Sequence, residues 1–401
     1  MLLVQKFLET HTFKELQEQH GVYASFSKSG HKFSLNYDQI EAKENDPLSQ
    51  ECRGLVLSLE YGQPIMEDMT PKGLSRDYVC PGKTRILAYP MKRFFNIGQG
   101  SAATINWSDP NLAVLEKLDG TLCIVYYDPF TNQWCVATRS VPEADLLMDN
   151  GIFTFRTLFE KAVQDTTKYS FQDLTDQLDK NTTYCFELTT PYNRIVVYYP
   201  DNHVTLLAAR NIVTGLEHNS SDVCIIGIQH VQAHTYTSVS ELLDWVSSLN
   251  PMEHEGVVIR DANFNRIKVK NAAYVAASKI RESLATSPRN CLELILLGKD
   301  DDAASFLPQE IQANLASLKE RFVIWLKKQE ELVQIITAEA RSIASDKKTF
   351  ALTVQKYNPS MPAMFYHIYN EKANSAKDFI EKSRKDGTWP DSFIDKILSV
   401  I

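Results

Sequence analysis

Up to residue 270 the apolar residues fall mostly into short alternating runs, and beyond residue 275 they recur three and four positions apart. Period two marks a strand with one buried face, and a spacing near 3.6 marks a helix with one apolar stripe. Strands are therefore predicted at 32–38, 54–60, 121–127, 133–138, 183–189, 194–199, 204–209, 224–228, 256–260 and 266–270. Helices are predicted over 1–20, where Leu3, Phe7, Leu8, Phe13 and Leu16 form one side, over 144–161, and over 238–249. Residues 41–50 read as a polar loop around Pro47, and 128–132 as a hairpin connection.

In the tail, Ile311, Leu315, Leu318, Phe322, Leu326, Leu332 and Ile336 keep helical spacing, with Pro308 near the start, where proline is tolerated. Further helices are predicted at 348–356, 362–384 and 392–401. The strand signal fades between 275 and 290. The fold class this implies is α+β. A domain of antiparallel sheets flanked by helices spans 1–280, and an all-α domain spans 281–401.

Composition narrows the class without naming a function. With 44% hydrophobic and 23% charged residues the chain reads as a soluble globular protein. A net charge of −8 argues against a generic nucleic-acid coat, yet leaves room for a local basic groove. The seven cysteines show no C-x-x-C spacing, so they read as core residues of a reducing compartment, the cytoplasm. The N-terminal run carries Lys6 and Glu9, which suits an amphipathic helix and not a signal peptide. No apolar stretch is long enough to span a bilayer, so no membrane partner is expected.

The chemistry centres on L-E-K-L-D-G-T, residues 115–121. An Asp-Gly pair beside alternating apolar residues is first a turn signal. The other reading makes Lys117 a covalent nucleophile fixed at a strand end. A lysine acts as a nucleophile only when neutral, which near pH 7 describes roughly one in two thousand at a pKa of about 10.4. Neighbouring cations or a metal ion disfavour the ammonium. Arg53, Lys268 and Lys270 would supply such cations.

Period two puts Glu187 on the face opposite Tyr184, Phe186 and Leu188, which suits either a solvated edge or a functional cavity. Arg266, Lys268 and Lys270 share one face of their strand, either solvated or set against an anion. Glu187 and Glu255 offer hard oxygen ligands to magnesium, and the cations suit nucleotide phosphates. The basic, aromatic segment 83–98 fits a phosphate-bearing partner, or equally a buried phenylalanine pair with snorkelling cations.

The ordered set E-K-L-D-G (116–120), F-E-L-T-T-P-Y-N-R-I-V (186–196), E-G-V-V (255–258) and K-V-K (268–270) resembles covalent lysyl-nucleotidyltransferases. With C-R-G-L-V (52–56) and P-M-K-R-F-F-N (90–96), it resembles the phage-type RNA ligase 1 family in particular, over roughly residues 30–275. The resemblance implies an ATP-dependent RNA ligase that joins a 5′-phosphate end to a 3′-hydroxyl end. Lys117 would carry AMP, with Mg2+ or Mn2+ as the metal. ATP would be bound by Tyr37, Arg53, Arg93, Glu116, Lys117, Glu255, Lys268 and Lys270. Phe95, Asp119, Gly120, Arg139, Glu187, Gly256 and Tyr274 would support the site. Metal would fall to Glu187 and Glu255, with Asp300 and Asp301 as a looser match that an acidic loop explains as well. The family analogy further implies a monomer acting on RNA, with broken tRNA as the substrate read by the helical domain.

Two positions depart from the family pattern. Arg93 stands where the branch has a lysine before F-F-N, and Arg139 stands where it has a lysine after the nucleophile hairpin. Both keep the charge while replacing a point donor with a fork. A capping-type guanylyltransferase and a non-catalytic RNA- or nucleotide-binding module on the same fold are the alternatives. The helical tail weighs against the first, which carries an OB-fold. The intact nucleophile set weighs against the second.

Overall fold

The computed structural model describes residues 1–38, 41–65, 76–148, 151–236, 238–297, 300, 309–343, 346–357, 359, 361–385 and 391–401. It divides into two compact units, Met1–Val275 and Ala276–Ile401.

Unit 1 starts with α1 (Leu3–Leu8) and α2 (Phe13–His20), in place of the one helix expected over 1–20. Thr12 and Glu15 form a reciprocal capping box, each accepting the other's backbone N–H. That geometry starts a new helix and so ends the old one. Strands β1 (Val22–Phe26), β2 (Lys32–Tyr37), β3 (Arg53–Leu59) and β4 (Thr84–Ala88) make a four-stranded antiparallel sheet in that order. The prediction had no strand at β1. Within the expected loop, Asp46 caps α3 (Pro47–Glu51), whose first residue is the proline.

The chain continues through β5 (Phe95–Asn96), β6 (Ala113–Glu116), β7 (Thr121–Asp128) and β8 (Gln133–Thr138). After these come α4 (Phe155–Thr167), α5 (Phe171–Thr175), β9 (Thr182–Thr189), β10 (His203–Asn211), β11 (Glu217–Asn219), β12 (Gln229–His230) and β13 (Ala233–His234). Then follow α6 (Val239–Ser248), β14 (Gly256–Arg260) and β15 (Arg266–Lys270). The second sheet runs β11-β10-β9-β7-β8, with β12 parallel to β10. The third runs β13-β6-β14-β15-β5, antiparallel except where β5 joins β15. The helix expected from 144 begins only at Phe155, because Ala144 has φ +49° and Thr154 caps α4. Residues 194–199 and 224–228 are not strands.

Each of these two sheets turns one face to a helix. Phe186, Leu188, Val204 and Leu206 pack on Leu158, Phe159 and Val163 of α4. Val257, Ile259, Ile267 and Val269 pack on Leu242 and Val246 of α6. Alternation then aims Leu115, Val258 and Lys268 of the third sheet, and Glu187 of the second, away from those cores. A buried ion pair between Lys32 and Asp128, at 2.9 Å, ties β2 of the first sheet to β7 of the second.

In unit 2 the described residues form helices and no strands. The unit boundary falls inside α7 (Ala272–Thr286). After it come α8 (Pro288–Leu297), α9 (Gln309–Ile343), α10 (Lys347–Tyr357), α11 (Pro362–Tyr369), α12 (Ala376–Lys385) and α13 (Asp391–Leu398). Their core includes Leu292, Leu315, Phe322, Ile336, Phe365 and Ile397. The helix expected over 362–384 is split between α11 and α12, where Glu371 takes φ +55°. Pro308 lies outside the described residues.

Candidate active site

Lys117 follows the last residue of β6. Glu116 lies opposite Val257, and the Lys117 N–H donates to the Gly256 carbonyl at 2.9 Å, so the ladder holds the lysine beside the start of β14. Its Nζ lies 2.6 Å from Glu255 Oε2, and Lys270 Nζ lies 2.7 Å from the other oxygen, Oε1. One buried carboxylate thus serves two lysines. Gly256 makes this possible: its φ is +137°, and a Cβ there would stand 2.2 Å from the Val269 carbonyl oxygen.

Asp119-Gly120 is not a hairpin turn, since β6 and β7 belong to different sheets. Asp119 instead pins the crossing between them. Its Oδ2 accepts the backbone N–H groups of Val196 and Val197 at 2.8 Å each, and its Oδ1 accepts the Tyr274 hydroxyl at 2.6 Å. These bonds explain why 194–199 fails as a strand: its N–H groups go to a side chain instead of a ladder. The Asp119 N–H donates to Tyr199 Oη at 3.2 Å. Burial, then the charges of Glu255 and Asp119, keep Tyr274 a phenol by pushing its pKa far up. Gly120 donates its N–H to Glu187 Oε1 at 3.1 Å, and a Cβ on it would meet the Leu188 carbonyl oxygen at 2.3 Å.

Arg53 and Lys268 both lie on the Phe94 ring, 5.2 and 4.8 Å from its centroid. Burial, reinforced by Arg53, Lys117 and Lys270, pushes Lys268 down to about 7. Burial likewise pushes Glu187 up to about 7; Lys117 opposes the shift and Glu255 adds to it. Burial also lowers Arg53, whose Nη1 has no hydrogen-bond partner among the described residues. The pocket at Lys117 is lined by Arg53, Phe94, Leu115, Glu187 and Val258 among others. Sequence reasoning passed over Phe94. Its neighbour Phe95 is buried in β5 opposite Ile267, and alternation would have turned Phe94 the other way.

Tyr37, Arg93, Phe95 and Arg139 form an adjoining cluster. The Arg93 guanidinium lies 4.1 Å from the Tyr37 ring and 4.9 Å from that of Phe95, and Arg139 lies 5.7 Å from Tyr37. Glu116 pairs with His254 at 3.3 Å, a partner not foreseen. Asp300, the looser metal candidate, has its carboxylate ion-paired with Lys319 at 2.5 Å in unit 2. Asp301 lies outside the described residues. Among the described residues, no group of three or more His, Cys, Asp or Glu side chains is disposed to hold a metal ion.

A family model described as RNA ligase, of the T4 RNA ligase 1 type, matches residues 51–274, more than half of the chain. The chain belongs to that RNA ligase family. It is 29% identical, over 321 residues, to a protein of Autographa californica nuclear polyhedrosis virus that bears the name bifunctional polynucleotide kinase/RNA ligase. That match covers 77% of this chain and 42% of the viral protein, so the chain spans less than half the length of this relative. An RNA ligase of Rhodothermus phage RM378 is 23% identical over 339 residues, covering 68% of this chain and 75% of the phage protein. Among solved structures, an archaeal ATP-dependent RNA ligase aligns with a TM-score of 0.41 at 15% identity, covering 76% of this chain and 74% of that one.

Proposed function

We propose that the protein is an ATP-dependent RNA ligase that seals 5′-phosphate to 3′-hydroxyl ends. The observation that carries this reading is Lys117 at a strand end, 2.6 Å from Glu255, in a pocket shared with Arg53 and Glu187. Lys117 Nζ attacks the α-phosphorus of ATP. A phosphorus–nitrogen bond forms, and the bond to the departing pyrophosphate breaks. Glu255 Oε2 is the atom placed to receive the lysine's proton. AMP then passes to the RNA 5′-phosphate, releasing Lys117. The RNA 3′-hydroxyl finally displaces AMP to make the phosphodiester.

Lys268, Lys270 and Arg53 stabilise the charge that develops on the phosphates. Tyr37, Arg93 and Arg139 complete the nucleotide's surroundings, while Asp119, Gly120, Gly256 and Tyr274 hold the turn in shape. A divalent cation fits the donor set: the charge of Glu255 adds to the cost of ionising Glu187, and both carboxylates offer hard oxygen. When bound by them, Mg2+ or Mn2+ would neutralise charge on the transferring phosphate. The helical unit reads the RNA, with broken tRNA as the substrate, and the protein acts as a monomer in the cytoplasm. No helix among the described residues is long and apolar enough to cross a membrane.

A capping-type guanylyltransferase is the weaker reading, because the described residues after Val275 are helical where such enzymes carry an OB-fold. The test is incubation with labelled ATP or GTP and divalent metal, followed by denaturing electrophoresis. Label from ATP on the wild-type chain and none on Lys117→Ala or Lys117→Arg is the expected result. Arginine stays charged and so cannot replace the nucleophile. Label persisting on Lys117→Ala would refute the assignment, and label from GTP alone would favour the guanylyltransferase.

A further inference from the structure

A second cleft in unit 1 shares Phe94 and Arg266 with the Lys117 pocket. Its walls include Tyr89, Lys92, Arg93, Arg210, Glu217 and Phe264. Arg210 and Arg266 converge on one carboxylate. Arg210 Nη2 lies 2.5 Å from Glu217 Oε2, and Arg266 Nη2 donates to Oε1. Arg260 feels the charges of both Arg266 and Glu217, and its guanidinium lies 5.4 Å from the Phe264 ring, where Arg266 also rests. Asp261 and Asp222 lie near Arg260 as well. Asp261 accepts from Asn263 and Asn265 within its own loop, and Asp222 accepts from Asn219.

Arg210 is 9% exposed, stacks at 4.4 Å on Tyr89, and keeps a buried Nε that has no hydrogen-bond partner among the described residues. A buried guanidinium with an open donor, in a cleft where cations outnumber the carboxylate they share, is short of an anion. Lys92, which also lines the cleft, adds to that surplus. Forked donors beside aromatic faces are the combination that takes phosphates and bases together.

We propose that this cleft seats the phosphates of the RNA strand whose end must reach Lys117. The inference rests on the ligase reading. In that reading two polyanions enter one pocket, and Arg53, Lys268 and Lys270 already serve ATP. The cleft continues from that pocket through Phe94 and Arg266, with its own cations and its own rings.

The test uses the full chain and two substitutions at exposed wall positions, Leu216→Glu and Lys92→Glu, with Lys180→Glu as an exposed control elsewhere. Circular dichroism confirms that each variant is folded. Two quantities are then read. One is lysyl-AMP formation from labelled ATP. The other is affinity for a short single-stranded 5′-phosphorylated RNA, by fluorescence anisotropy across a salt series. Both wall variants should bind RNA about tenfold more weakly, Lys92→Glu with a salt slope lower by about one, while lysyl-AMP formation and the control stay within about twofold of wild type. RNA binding unchanged in both variants overturns the inference, and so does a defect confined to the ATP step. A wild-type chain that takes no label at all would instead refute the ligase reading.

Discussion

Lys117 and Glu255 are 138 residues apart in sequence and 2.6 Å apart in space. Because the same carboxylate also holds Lys270, its charge organises two ammonium groups at once. Glu255→Gln keeps the shape and removes the charge. The expected outcome is a loss of about 10²–10³ in the rate of lysyl-AMP formation at saturating ATP, with the fold intact by circular dichroism.

Tyr274 braces the same turn from the end of the unit. Tyr274→Phe leaves a buried carboxylate oxygen of Asp119 without its donor. The expected cost is about 1.5–3 kcal/mol, as for other hydrogen bonds to charged groups, read as a lower melting temperature. Slower adenylation should accompany it. Asp119→Asn should cost more, since it also weakens the acceptor of the Val196 and Val197 N–H groups.

The pH dependence of stability has two opposed slopes. Glu187 is raised from 4.5 to about 7, so between those values the unfolded chain has lost the proton that the native chain keeps. Its contribution to stability is therefore full below 4.5 and is lost as pH rises towards 7. Lys268 is lowered from 10.5 to about 7, so the native chain gives up its proton first, and stability is regained as pH rises from 7 to 10.5. Each slope reaches at most about 1.4 kcal/mol per pH unit. Urea midpoints measured across pH should show the falling limb disappear in Glu187→Gln and the rising limb disappear in Lys268→Met.

Strand β15 is expected to separate chemistry from scaffolding along one face. Lys268→Met and Lys270→Met should slow adenylation severely while the protein stays folded. Arg266→Met should instead unfold it readily, since a broken buried pair with Glu217 costs about 3–5 kcal/mol. Parallel measurements of label uptake and melting temperature distinguish the two behaviours.

The strands that carry these residues could be read from the sequence because period two is local: β14 and β15 lie where alternation put them, and Glu187 faces away from the core side chains Phe186 and Leu188 as alternation required. Capping also acts locally, but its signal at Thr12 and Asp46 was overlooked, so the break between α1 and α2 and the whole of α3 went unseen. The apolar run 194–199 misled for a different reason. Its backbone partners sit on Asp119, and no pattern within the run records that. The Arg210–Glu217–Arg266 cluster was equally hidden, because each residue reads as ordinary surface charge until three strands bring them together.

The bonds to Asp119 also impose an order in time. The nucleophile turn leaves the ribosome well before Val196, Val197 and Tyr199, and before Tyr274, which lies 155 residues beyond Asp119. Its final shape cannot form on a nascent chain that has only just made Lys117. Non-local closure of this kind comes late in folding. If Lys117 takes AMP as proposed, it would do so only once its whole unit has been synthesised and folded, so that incomplete chains would not consume nucleotide.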